Sequence, residues 1–329
     1  MKKALINLIC VTLVLTWSIE LKSQDAFFSQ FFATPVFLNP AFAGSGEHSR
    51  LFFNYRNQPF PDFGTFSTFN VAYDQPVSAI GGGIGMLVTS DFQSNLIIRN
   101  QISAMYNIHL QLTENIHMNL ALQGGYLRKD LNWNNLEFAN QYNPFFNELL
   151  PITEQPPERT WRHAVSFSTG MLLFSNRFYG GIALHHLNRP RESLFLDDFR
   201  LPVKATVHLG LHLPLPYIGT FSGIDQNFFV SPNIIFVKQG VNKKTSYGLY
   251  MGLPQITGGL WLRHGSDLRE TLVFMLGLNI DNYRIAYSYD HSLSGFSGVF
   301  HGVHEISITL NFSNGTKKSN QRTINSPGF

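Results

Sequence analysis

Three sets of residues in this chain have types and spacings that could do chemistry. Gly81-Gly82-Gly83-Ile84-Gly85 is glycine-rich enough to cradle a phosphate, but a phosphate loop needs a helix and a Lys-Ser or Lys-Thr behind it, and neither follows. The run reads instead as a glycine-rich strand that lets a sheet bend. His109, His117, His208 and His212 share one parity along their segments, and imidazoles gathered from several strands can hold a metal. Nothing in the sequence sets them on adjacent strands at one height, so they read as hydrogen-bonded polar side chains. Ser292, Ser294 and Ser297 form no G-x-S-x-G elbow, which leaves no activated nucleophile. The expectation is a protein with no catalytic residue, no cofactor and no metal, so an outer-membrane lipase or protease has little support.

The segments that carry these residues say more than the residues do. Val203, Ala205, Val207, Leu209, Leu211 and Leu213 alternate with Lys204, Thr206, His208, Gly210 and His212, giving one apolar face and one polar face at the period of a strand. In 97–109 the apolar side is Ile98, Ile102, Ala104, Tyr106 and Ile108, set against Arg99, Gln101, Ser103, Asn107 and His109. Ile116, Met118, Leu120 and Leu122 oppose His117, Asn119 and Gln123 in the same way. Tyr283, Ile285, Tyr287 and Tyr289 make an aromatic row suited to a membrane interface.

Such faces fit a soluble sandwich as well as a membrane barrel, and the chain's start separates the two. Met1-Lys2-Lys3 is basic, Ala4 to Trp17 is apolar and Ser18 to Ser23 is polar, the order of an export signal too short to span a bilayer as a helix. Residues 1–23 are expected to be removed. Cys10, the only cysteine, would leave with them, and the mature chain then has no thiol chemistry. Removing Lys2, Lys3, Lys22 and Glu20 leaves a net charge of about +1, which gives no electrostatic case for nucleic acid. Charged residues are 14% of the chain and Phe alone contributes 30, against roughly 25% charged in soluble domains.

The expected fold is all-β: a transmembrane antiparallel barrel of about fourteen strands over residues 50–312. The strands are placed near 50–58, 65–74, 79–90, 97–109, 115–128, 161–174, 177–186, 203–213, 228–238, 245–253, 256–264, 271–280, 283–290 and 303–312. Connections after even strands are mostly tight, as at Gln75-Pro76-Val77, Leu112-Thr113-Glu114, Ser175-Asn176, Pro254-Gln255 and Asp281-Asn282. Several after odd strands are long, at 129–160, 187–202 and 291–302. Short periplasmic turns and long outer loops place both termini in the periplasm, with outer-membrane lipid around the barrel. The segment 214–227 departs from the rule and reads as a longer periplasmic turn, or as a count off by two strands. Residues 313–329 read as a disordered polar tail.

Between the signal and the first strand lies Gln24-Asp25-Ala26-Phe27-Phe28-Ser29-Gln30-Phe31-Phe32-Ala33-Thr34-Pro35-Val36-Phe37-Leu38-Asn39-Pro40-Ala41-Phe42-Ala43-Gly44. So many aromatics would not stay in water, and residues 24–49 are expected to pack inside or under the barrel. The expected plug residues are Phe27, Phe28, Ser29, Gln30, Phe31, Phe32, Asn39, Pro40 and Ala41. This stretch resembles the mature start of the PorP/SprF family of type IX secretion system membrane proteins of Bacteroidota. Further landmarks follow in order at Asn54-Tyr55-Arg56-Asn57-Gln58, Tyr73-Asp74, Gly81 to Gly85, Tyr283 to Gly295 and His304-Glu305-Ile306-Ser307-Ile308. The likeness spans essentially the whole mature chain, departing from it at Phe31 and Phe32, where tyrosine is common, and in the tail beyond Phe312.

The resemblance implies a non-enzymatic accessory in secretion and gliding motility. Its implied partners are a secreted cargo or adhesin with a type B C-terminal domain and a periplasmic peptidoglycan-binding or secretion-machinery protein. Topology makes Asn140, Tyr142, Phe145, Phe146, Leu194, Phe195 and Phe296 the candidate cargo-facing loop residues. Asn39-Pro40-Ala41 is also similar to fatty-acid transporters of outer membranes, barrels whose N-terminal segment enters the lumen as a hatch. The alternative function is therefore a channel for small hydrophobic ligands.

Overall fold

The computed structural model describes residues 25–60, 64–143, 148–149, 151–194, 199–215, 228–266, 270–293 and 302–312. The expected signal (1–23) and polar tail (313–329) lie outside them. Fourteen staves follow the alternating segments: β1 Ser49–Phe60, β2 Gly64–Val77, β3 Gly82–Gln93, β4 Ile97–Gln111, β5 His117–Leu131, β6 Trp161–Phe174 and β7 Phe178–His185. The second half comprises β8 Lys204–Leu211, β9 Phe228–Gln239, β10 Asn242–Gly252, β11 Ile256–Gly265, β12 Glu270–Ile280, β13 Tyr283–Ser292 and β14 Val303–Phe312.

Each stave pairs antiparallel with its sequence neighbour, and β1 pairs with β14 to close the cylinder. In that closing ladder Arg56 stands opposite Glu305. Leu213–Leu215 pairs with Phe228–Val230 and prolongs β8 beyond the barrel rim. This short pairing adds no stave, and among the described residues the stave count remains fourteen. Full closure removes the unpaired edges that an open sheet would expose.

Parity sets the two faces. Leu122 is 70% exposed, Leu209 56% and Leu276 55%, whereas Ser103, Asn119, Thr206 and Ser288 on the opposite parity are buried. A belt of outward Leu, Ile and Phe is unstable in water and stable against lipid. The third stave begins three residues later than its hydropathy suggests. Gly81 takes φ +65 and caps a single 3-10 turn over Ser78–Ile80, so the chain reverses at 78–81 and Gln75-Pro76-Val77 finishes β2.

The turn mouth carries the connections 78–81, 112–116, 175–177, 212–227, 253–255 and 281–282, together with the start of β1 and the end of β14. The loop mouth carries the rest, including the long connections 132–160, 186–203 and 293–302. In the first of these, Trp133–Asn135 and Ala139–Gln141 are short 3-10 turns, and Tyr142–Asn143 pairs with Glu148–Leu149.

Candidate functional site

The N-terminal segment occupies the barrel interior. Phe28, Phe31, Phe32, Val36, Ala41 and Phe42 are all buried, and burying each phenylalanine contributes about 1.5–3 kcal/mol. Phe31 lies 5.2 Å from Trp261, and Phe32 packs edge-on at 5.6 Å against both Tyr179 and Tyr250. One helical turn, Pro35–Leu38, and a 3-10 turn, Pro40–Phe42, each open on a proline, a residue that fits a first helical turn because its missing N–H has no partner there.

Three polar anchors hold the segment. In the first, the Glu305 carboxylate accepts the backbone N–H groups of Ser29 at 2.7 Å and Gln30 at 3.0 Å. Ser29 Oγ donates to Asp290 at 2.7 Å. Arg56 and Arg263 both reach that serine oxygen, at 2.7 and 2.8 Å, and both pair with Asp290, at 3.2 and 3.0 Å. Arg56 also pairs with Glu305 at 3.2 Å. The Gln30 amide donates to the Glu305 carbonyl at 2.9 Å and accepts from Ser307 at 2.5 Å. Two guanidinium groups thus balance two carboxylates, and charges this deep are tolerable only when so paired.

The second anchor is Asn39. Its amide donates to the Met171 carbonyl at 3.0 Å and lies 3.2 Å from His208 Nε2, while its Oδ1 accepts the Ala41 N–H at 2.9 Å. Asn119 donates to the Ala41 carbonyl at 2.9 Å, and Asn107 donates to the Ala43 carbonyl. Phe42 stacks on the His208 ring at 5.4 Å. Glycines make room for this wedge: a Cβ on Gly170 would come within 2.0 Å of Asn39 Oδ1, and one on Gly83 within 2.5 Å of the Ala43 carbonyl. Gly83 within Gly81 to Gly85 therefore serves close backbone approach, a use that sequence reading missed in favour of sheet bending. Nearby, the Gly44 N–H donates to Asp74 at 2.9 Å, and Arg50 pairs with the same carboxylate.

The third anchor is Asp25, which meets Arg99 at 2.7 Å, His186 at 2.9 Å and Lys204 at 3.4 Å. Its backbone N–H donates to Gln239 at 3.0 Å. Arg99 continues to Glu192, in the loop between β7 and β8, at 2.8 Å. Burial alone would raise the Asp25 carboxyl, but the charges of His186, Arg99 and Lys204 hold it well below the usual carboxylate range. A polar cavity of about 30 Å³ adjoins this anchor, between Asp25, Asp91, Arg99 and Lys204. An apolar one of about 20 Å³ lies among Phe27, Phe28, Phe31 and Val237. Each has room for about one or two waters.

The four histidines separate into different settings. His109 and His117 stack at 5.1 Å across the β4–β5 hairpin, the adjacency that sequence reading did not find although the turn between them was legible. His208 belongs to the Asn39 anchor and His212 packs on Phe229. Among the described residues no group of three or more His, Cys, Asp or Glu is placed to hold a metal. Of the loop candidates, Asn140 is exposed, donates to Thr153 and Glu154 at 3.1 and 2.9 Å, and Leu194 is half-buried. Tyr142 is described in its backbone alone, and Phe145, Phe146, Phe195 and Phe296 lie outside the described residues, as do Ser294 and Ser297.

A closed barrel with an apolar outer belt defines an integral outer-membrane β-barrel protein. Residues 20–310 match the family of type IX secretion system membrane proteins PorP/SprF, and the chain belongs to that family. Among solved structures, it is similar to the CymD monoaromatic hydrocarbon channel at 12% identity, covering 88% of this chain and 95% of that one, with a TM-score of 0.50. The Pseudomonas putida toluene transporter TodX gives 10% identity, 88% and 96% coverage, and a TM-score of 0.48. Omp33 of Acinetobacter baumannii gives 9% identity, 81% and 100% coverage, and a TM-score of 0.41. Likeness at this level speaks to the barrel alone. Among curated proteins no relative matches the chain.

Proposed function

We propose that this protein is a binding accessory of the type IX secretion system, its lumen plugged by residues 24–49 and its work done at the two mouths. The loop mouth faces the cell exterior and holds a secreted adhesin or other cargo with a type B C-terminal domain. The turn mouth faces the periplasm and holds the secretion machinery or a peptidoglycan-binding protein. The observation that supports this best is the family match joined to an N-terminal segment bonded across the lumen to Glu305, Asp74 and Arg99. A solute path would require three anchors to be withdrawn, whereas binding at the mouths requires none. Affinity capture of the tagged protein from solubilised outer membranes, with mass spectrometry, tests it. Recovery of a large surface adhesin together with a peptidoglycan-binding protein is the expected result, and recovery of neither overturns it.

The second reading is a channel for small hydrophobic ligands. It is favoured by the aromatic lining at Phe27, Phe31, Tyr250 and Trp261 and by the barrel likeness to a monoaromatic hydrocarbon channel. Uptake of a monoaromatic hydrocarbon into liposomes bearing the purified barrel separates it from the first.

A further inference from the structure

The two ends of the N-terminal segment are tied to opposite mouths. Gly44 is bonded to Asp74 near the end of β2, and Ala43 approaches Gly83 near the start of β3, both at the turn mouth. Asp25 is bonded to Arg99 near the start of β4, to Lys204 at the start of β8, to Gln239 at the end of β9 and to His186 just past β7, all at the loop mouth. Between them Ser29 and Gln30 meet Glu305 near the start of β14, in the loop-mouth half, and Asn39 meets Met171 in the turn-mouth half of β6 and His208 in the middle of β8. Residues 25–48 could reach about 80 Å if extended, at ~3.3 Å per residue, against an apolar belt about 25 Å tall. The chain has length to cross the lumen with its folded turn included.

We propose that the segment threads the barrel from end to end, so that the mature amino terminus emerges at the loop mouth and forms part of that interaction surface. This replaces the expectation that both termini lie on one side. The head of the chain is joined to the 186–203 loop through Asp25 with His186 and through Arg99 with Glu192, so a protein seated on that loop meets the terminus as well.

The test places one short epitope between Gln24 and Asp25 and, in separate proteins, at Glu154 in the 132–160 loop and at Asn282 in a tight turn. Antibody labelling is compared on intact and permeabilised cells. The inference expects the 24/25 tag to label together with the Glu154 tag and opposite to the Asn282 tag. Labelling of the 24/25 tag together with Asn282 overturns it. If the Glu154 and 24/25 tags are both hidden while Asn282 is exposed, the threading stands and the proposed orientation of the barrel falls. Should the insertion prevent assembly, Ala26→Cys, read with a membrane-impermeant thiol reagent against Glu154→Cys and Asn282→Cys, gives the same comparison.

Discussion

Glu305, on the last stave, holds the backbone N–H of Ser29 at 2.7 Å, joining positions separated by 276 residues. Removing that carboxylate strands two buried N–H groups and leaves Arg56 short of a partner, a loss of roughly 3–5 kcal/mol for a broken buried pair. In Glu305→Ala the segment should loosen while the ladder stays paired. Chymotrypsin applied to detergent-solubilised protein should then cut at Phe27 to Phe32, where the parent protein resists. Equal resistance in both would show that the Glu305 carboxylate does not hold the segment.

Gly170→Ala should dislodge the wedge, because its Cβ would fall within 2.0 Å of Asn39 Oδ1. Gly124→Ala is the matched control, since nothing lies within 4 Å of a Cβ there. The expected contrast is new protease sensitivity around Asn39 for the first and none for the second. Identical behaviour of the two would show that the close approach at Gly170 is unimportant.

Acid should release the loop-mouth anchor late. The Asp25 carboxyl is held below its ordinary value, so its contribution is complete above the unfolded value of about 3.9 and is lost as pH falls through the lower folded value. A fluorophore on Ala26→Cys should therefore report the protonation of Asp25 only in acid below the ordinary carboxylate range. In the Asp25→Asn background that acid transition of the Asp25 carboxyl should vanish. A midpoint near neutrality would assign the anchor to another group.

Deleting 140–157 should abolish cargo display on the cell surface while the barrel keeps its heat-modifiable mobility on gels. Unchanged display would take that loop out of the proposed cargo surface.

The filled lumen should be electrically silent. Planar bilayers with the parent protein are expected to show no steady conductance, and deletion of 25–38 should open it. A parent barrel that conducts freely would favour the channel reading.

The staves were legible because each residue reports its own face: Leu120 and Leu122 outward, Asn119 and Gln123 inward, at a period that needs no distant information. The turn at Gly81 was misplaced because a left-handed glycine inside an apolar run leaves no mark on hydropathy. The anchors were legible in kind, since phenylalanines ahead of a polar lumen must go somewhere, but their partners were not. Ser29 with Asp290 and Asn39 with Met171 are separated by 261 and 132 residues, and nothing local in the sequence encodes which stave each meets. The stacking of His109 on His117 was within reach, because a tight turn through Thr113 and Glu114 sets His109 opposite Asn119 and so beside His117, two residues earlier on the same face.

The pair Arg56 and Glu305 has one consequence for how the cylinder is zipped. They stand opposite each other where the first and last staves meet, and both touch Ser29. A slip of two residues along that seam would keep every apolar side chain facing lipid, so the membrane alone could not reject it. It would pull the guanidinium away from the carboxylate and leave the serine with one of them. The threaded segment thus proofreads the register of the final joint, a check that a barrel with an empty, water-filled bore would lack.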